Sequence, residues 1–217
     1  MSGFIVYKVQ TINKTMKKLF ALLAVTATFL SCHNDDDAPS QQQAFFNLAE
    51  GNLWVYKRYT INPNGEQLQN TPADTVKVIG QEVIDGLSYY KLRHTNITYN
   101  FEFEYLRVDE AGRLVNQSGF VKHPGADVGY TYLYNGAYGQ VSYKLKEAVE
   151  QNIEGSNYRL YPYVGYYTPS AEYSNIVPGI GNIIGYQPGI GKVVEKSRFI
   201  CCEDSFTEDR LVYYEIK

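Results

Sequence analysis

Beyond Gly51 the chain alternates between apolar and polar residues with a period of two. Tyr99, Phe101, Phe103 and Tyr105 occupy odd positions, with Asn100, Glu102 and Glu104 between them. Such alternation is the mark of a strand with one buried and one wet face, so the aromatics are expected inside and the glutamates outside. Asp85-Gly86, set between apolar segments, is a strong short hairpin signal, because both residues tolerate positive φ. Residues 108–115 read as a second hairpin with a longer loop, and Asn64-Gly65 and Asn135-Gly136 mark further turns. Strands are expected over residues 52–60, 74–84, 87–95, 97–108, 112–117, 130–134 and 158–164, with a last pair at 192–202 and 210–217 joined by an acidic turn. Residues 144–150 could form a short helix, but the spacing of Val141, Tyr143, Leu145, Val149 and Ile153 favours a strand hairpin. One short helix is expected near residues 42–48. The fold class that follows is mainly β: a single antiparallel meander of about nine to eleven strands, satisfied by a sandwich or by a curved half-barrel.

Composition supports this, with 21 Tyr and 10 Phe in 217 residues, since aromatic residues favour strands. A formal net charge of −3 argues against a nucleic-acid partner. The charge is unevenly placed. Met16-Lys17-Lys18 precedes an uncharged run from Leu19 to Leu30, then Ser31-Cys32, then His33-Asn34-Asp35-Asp36-Asp37. The run is too short to span a bilayer, which takes about 20 apolar residues, and fits the apolar segment of a secretory signal peptide. Residues 1–31 are therefore expected to form a signal-peptide helix that is removed, with Met16 as the start of translation. Residues 32–43 would form a flexible acidic and Gln-rich tether, and residues 44–217 the β domain. The leader holds four of the 20 basic residues and no acid, so the chain from Cys32 onward carries 16 basic residues against 23 acidic ones, a net charge of −7.

The apolar run ending in Ser31-Cys32 resembles the lipobox of bacterial lipoproteins, although Phe29 and Leu30 depart from its preferred Leu and small residue. The resemblance implies a lipidated, palmitate-bearing Cys32 as the membrane anchor, and two or more acyl chains hold a protein stably where one does not. Asp35-Asp36-Asp37 resembles the export signal of surface lipoproteins in Bacteroidota-type bacteria, which implies an outer-membrane protein displayed at the cell surface. The segment Glu50-Gly51-Asn52-Leu53-Trp54-Val55-Tyr56, the Arg107–Gly112 hairpin and Pro-Gly-Ile-Gly followed by Lys192-Val193-Val194-Glu195 resemble small uncharacterised β-rich lipoproteins of the same group. That resemblance implies a location and a β fold, and no activity.

Candidate chemistry is sparse. Pro178-Gly179-Ile180-Gly181 recurs as Pro188-Gly189-Ile190-Gly191, but Ile184 and Val194 stand where a dinucleotide site needs its third glycine, so a pair of turns is expected. No Gly-x-Ser-x-Gly elbow or His-Glu-x-x-His pair is present. His94 and His123 are expected to be surface or packing residues, and Glu102 and Glu104 to lie on one wet strand face rather than act as a glycosidase pair. Cys201-Cys202 could be free thiols, a strained vicinal disulfide or an intermolecular bridge. The acidic stretch 203–209 lacks calcium-loop spacing and reads as a hairpin tip. No metal or cofactor is expected, and the chain is read as non-enzymatic.

Twelve tyrosines fall between Tyr130 and Tyr186. Tyr130, Tyr132, Tyr134, Tyr161, Tyr163, Tyr166 and Tyr167 are the candidate binding residues, since exposed rings with a polar tip suit a glycan or a protein partner. A periplasm-facing lipoprotein that holds an apolar ligand, or assists envelope assembly, inside a curved sheet is the alternative.

Overall fold

The computed structural model describes residues 45–69, 73–96, 102–199 and 205–217. The signal segment, Cys32, the tether, residues 97–101 and Cys201-Cys202 lie outside the described residues.

The described chain is almost entirely antiparallel sheet, as the alternation predicts. In chain order the strands are β1 (Leu53–Ile61), β2 (Gln67–Gln69), β3 (Asp74–Ile84), β4 (Leu87–His94), β5 (Phe103–Val108), β6 (Leu114–Asn116) and β7 (Val121–His123). They continue as β8 (Thr131–Gly136), β9 (Gly139–Leu145), β10 (Val149–Ile153), β11 (Ser156–Pro169), β12 (Gly179–Gln187), β13 (Gly191–Arg198) and β14 (Phe206–Glu215). All fourteen belong to one sheet, in the order β7-β6-β5-β4-β3-β1-β14-β13-β12-β11-β9-β8, with β2 on β1 and β10 on β11. Among the described residues the expected nine to eleven strands become fourteen, and β2 and β7 are among those not foreseen, being three residues long and too short to show a period. The helix alternative at 144–150 gives way to β9 and β10, but these do not pair with each other: β9 takes the second half of β11 and β10 the first. Of the expected helix near 42–48, Phe45 and Phe46 are helical and residues 47–49 are not.

Two meanders are joined where the first and last strands pair, Trp54 opposite Tyr214 and Arg58 opposite Asp209. Register shifts at Val55/Tyr56, Val78/Gly80, Gly165/Tyr166 and Gly185/Tyr186 bend the sheet, as bulges do. The half-barrel, not the sandwich, is realised. At one end of the path, Phe120 packs onto β8 and β9 and His123 of β7 onto β11. His123 Nε2 lies 3.0 Å from the Tyr161 carbonyl, and the Phe120 ring meets those of Tyr132, Tyr134 and Tyr143 edge-on, the nearest centroid at 5.4 Å. Closure is thus by side chains rather than by a backbone ladder.

The segment before β1 seals one end of the concavity. Phe45 and Phe46 are buried against His123 and Tyr186. His123 accepts the Gly125 N–H at Nδ1 and is fully buried; burial pushes its pKa down to about 4. It is a neutral packing residue. Asn52, 0% exposed, donates to the Asn47 carbonyl and accepts the backbone N–H of Lys217, tying the start of the domain to its end. Gly51 has φ +88, which favours glycine there. Trp54 donates through its indole to the Ile190 carbonyl at 2.6 Å.

Candidate functional site

The inner face of the sheet is apolar at one end and charged at the other, and strand register explains the division. Along β1 the inward residues run Trp54, Tyr56, Arg58, and β3 brings Asp74 opposite Tyr56 and Val76 opposite Trp54. His94 of β4 lies opposite Val76, and Glu104 of β5 opposite Leu92. On the other side Asp209 of β14 sits between Arg58 and Glu195. Each strand therefore ends its apolar row in a charge, and the antiparallel order gathers these charges at one end.

They surround a chamber of about 190 Å³ lined by residues that include Arg58, Asp74, His94, Glu104, Lys122 and Glu195. It shares Tyr56, Val76, His94, Glu104, Lys122, Lys192 and Glu195 with an apolar compartment of about 60 Å³, whose own walls include Phe46, Leu48, Trp54, Leu106 and Ile184. A dry apolar cavity of about 150 Å³ accepts benzene, so the combined space suits a molecule of modest size.

Every charge lining it has a partner of opposite sign. Arg58 grips Asp209 through two bonds, Nε to Oδ1 at 2.6 Å and Nη2 to Oδ2 at 2.7 Å. His94 Nδ1 is 2.7 Å from Asp74 Oδ2, and its Nε2 is 3.6 Å from Glu104. Asp74 also accepts the backbone N–H groups of Thr95 and Asn96. Lys122 reaches Glu104 at 3.1 Å, and Lys192 reaches Glu195 at 2.7 Å while lying over the Tyr56 ring. The Tyr56 hydroxyl donates to the Lys192 carbonyl.

The fields follow from this pairing. Burial pushes the Glu104 carboxyl up, but Lys122 and His94 outweigh it and hold it below the usual carboxylate range. Glu104 raises the Lys122 ammonium against burial. Lys192 lowers Glu195 against burial, and Glu195 in turn helps hold Lys192 well above its ordinary value. Burial alone would lower the His94 imidazole, yet Asp74 and Glu104 raise it to about 8. Burial pushes the Tyr186 hydroxyl up to about 12. At neutral pH all these groups except the phenols are charged.

Glu104 points into the chamber with its side chain 17% exposed, while Phe103 and Tyr105 lie on the opposite face, where the Lys91 ammonium sits over both rings. The alternation holds with its polarity inverted: Glu104 shares the inward phase of buried Leu106, and interior cations pair it there. The acidic stretch is likewise not all hairpin tip: β14 begins at Phe206, and Asp209 is buried beside Arg58. Of the repeated Pro-Gly-Ile-Gly, the second copy is a turn, whereas Gly179 and Gly181 lie within β12.

The candidate tyrosines divide. Tyr163 is 0% exposed and stacks on Tyr143 at 5.0 Å. Tyr130, Tyr132 and Tyr161 are half-buried and pack against the same cluster. Tyr134 and Tyr166 are exposed, and Tyr167 is half-buried, its hydroxyl donating to the Tyr138 carbonyl at 2.8 Å. The seven are not brought together on one exposed face. The lysines, the Arg58–Asp209 pair and Asp74 carry no motif; their signal is a charge closing an apolar period-two row on several strands in turn.

No protein family and no curated protein matches the chain. Among solved structures it is similar to a protein from Bacteroides fragilis assigned as exported, with a YmcC-like fold (TM-score 0.45, 14% identity, 79% of this chain and 98% of that one). It is also similar to a protein from Parabacteroides distasonis assigned as a lipoprotein (TM-score 0.33, 12% identity, 79% and 98%). A third similarity is to a Vibrio parahaemolyticus domain assigned as an outer membrane lipoprotein-sorting protein (TM-score 0.22, 7% identity, 83% and 90%). No residue role transfers at these scores, so the function is argued from this chain's own side chains.

Proposed function

We propose that this chain is a lipid-anchored lipoprotein of the outer membrane, displayed at the cell surface, that binds a small ligand with a polar and an apolar end in the chamber inside its curved sheet. The observation that carries the ligand site is the chamber itself, charged at one end and apolar at the other. Buried ion pairs are a poor route to stability, since well-packed apolar residues of similar volume often do as well or better. Perturbed, interacting titratable groups in a cavity are instead a mark of a functional site. The packed tyrosines shift weight away from an aromatic outer face and toward this interior.

The anchor rests on Met16 to Cys32 and the surface address on Asp35-Asp36-Asp37. A body of net charge −7 is repelled by anionic lipid, which leaves the lipid on Cys32 to hold it. The role is binding rather than catalysis: Glu104 and Glu195 are held ionised by Lys122 and Lys192, whereas acid–base catalysis favours a group poised near neutrality. His94 titrates closest to neutrality, and its Nδ1 is committed to Asp74.

Three observations test the reading. Cys32→Ala is expected to release the protein from membranes, and membrane pelleting of the variant would refute the anchor. Protease added to intact cells should cleave the protein, and protection until lysis would refute surface display. Small molecules extracted from the purified full chain should include one absent from a chamber-filling variant, Val76→Phe; identical extracts would refute the ligand site.

A further inference from the structure

The charges lining the chamber balance. Among the described residues Arg58, Lys122, Lys192 and protonated His94 face Asp74, Glu104, Glu195 and Asp209, four of each sign. A site for an anion carries a surplus of cations, and a site for an apolar molecule has no use for eight charges that each cost several kcal/mol to desolvate. Balanced charge with strong local fields fits a ligand that itself carries both signs.

The centre of the set is still accessible from within. Lys122 keeps 31% of its side-chain surface open and Glu104 17%; Lys192 keeps 25% and Glu195 27%. These are groups from β5, β7 and β13, enclosed by the sheet yet facing open space. They also act on each other across the chamber, Glu195 on Lys122 and Lys192 on Glu104. Beyond them the space narrows into the compartment walled by Leu106, Trp54 and Ile184.

We infer that the chamber takes a compact zwitterion with an aliphatic tail, of the α-amino-acid class. Its carboxylate lies against Lys122 and Lys192, its ammonium against Glu104 and Glu195, and its side chain enters the apolar compartment. The inference rests on the chamber being a ligand site and adds the chemistry of what enters. Its specificity comes from charge balance: the four groups already pair with one another, so a ligand carrying only one of the two charges brings an uncompensated ion into a balanced enclosure, whereas one carrying both meets both pairs.

Three molecules of one shape separate the possibilities: L-leucine, 4-methylpentanoate (leucine without its ammonium) and 3-methylbutylamine (leucine without its carboxylate). Each is titrated at pH 7 by calorimetry into the full chain, purified in an uncharged maltoside detergent. Leucine is expected to bind at least about tenfold more tightly than either analogue. If either analogue binds as tightly as leucine, the zwitterion inference falls and the chamber remains a ligand site. If none of the three binds, both fall.

Discussion

Replacing Lys122 by Met removes one charge from the chamber and keeps a side chain of similar length. Glu104 then loses the cation 3.1 Å away, the largest of the influences holding it ionised against burial. Breaking a fully buried pair in this way costs about 3–5 kcal/mol, and breaking an exposed one about 0–1 kcal/mol. With Lys122 31% and Glu104 17% exposed, and with His94 also facing Glu104, about 2 kcal/mol is expected. For a domain of this size that is a fall in Tm of about 4–8 °C. The double variant Lys122→Met/Glu104→Gln removes both charges, so its cost should fall short of the sum of the single variants by about 1–2 kcal/mol. Trp54, the only tryptophan and 4% exposed, reports unfolding in urea by its fluorescence. A single-variant cost below about 0.5 kcal/mol, or strict additivity in the double variant, would refute the coupled pair.

Other consequences are equally direct. His94 faces Asp74, Glu104, Lys122 and Arg58 across the chamber. Its folded pKa of about 8 lies above the ordinary 6.5, so its contribution of about 2 kcal/mol is complete below pH 6.5 and lost as pH rises through 8. Urea midpoints measured from pH 6 to 9 should fall in the parent and flatten in His94→Gln; equal slopes would contradict this. Gly165→Ala places a methyl 2.8 Å from the Tyr143 ring and against Asn182, and should cost about 1–3 kcal/mol in chemical unfolding, with a neutral result counting against the packing of β9, β11 and β12. Tyr163→Phe removes a buried hydroxyl that has no hydrogen-bond partner among the described residues, so stability should hold or rise by up to about 1 kcal/mol in chemical unfolding; a clear loss would reveal a partner for that oxygen.

Much of the fold was legible because strands advertise themselves through alternation. Residues 74–84 were readable as one strand end to end, and Asp85-Gly86 as its turn, because period and turn chemistry agree there. Strands β2 and β7 were not, since three residues hold no period. The pairing of β1 with β14 depends on curvature set by bulges, which no local pattern states. The site was hidden for a different reason. Alternation gives two faces and assumes that the charged one is wet, which placed Glu104 outside. Glu104 shares its inward phase with Leu106 and Val108, and the groups that pair it there, Lys122 from β7 and His94 from β4, come from other strands. Tyr163 shows the converse: tyrosine density suggests a surface, while Tyr132, Tyr143 and Tyr163 pack inward against Phe120 and His123.

The central claim is that a small molecule enters the interior of the sheet. Trp54 forms part of the apolar wall, so its emission reads occupancy of the chamber. L-leucine should shift that emission along a saturable curve in the parent, and the curve should disappear in Val76→Phe, whose larger side chain occupies the space between the two compartments. A curve of unchanged midpoint in Val76→Phe would place the ligand elsewhere and contradict the account.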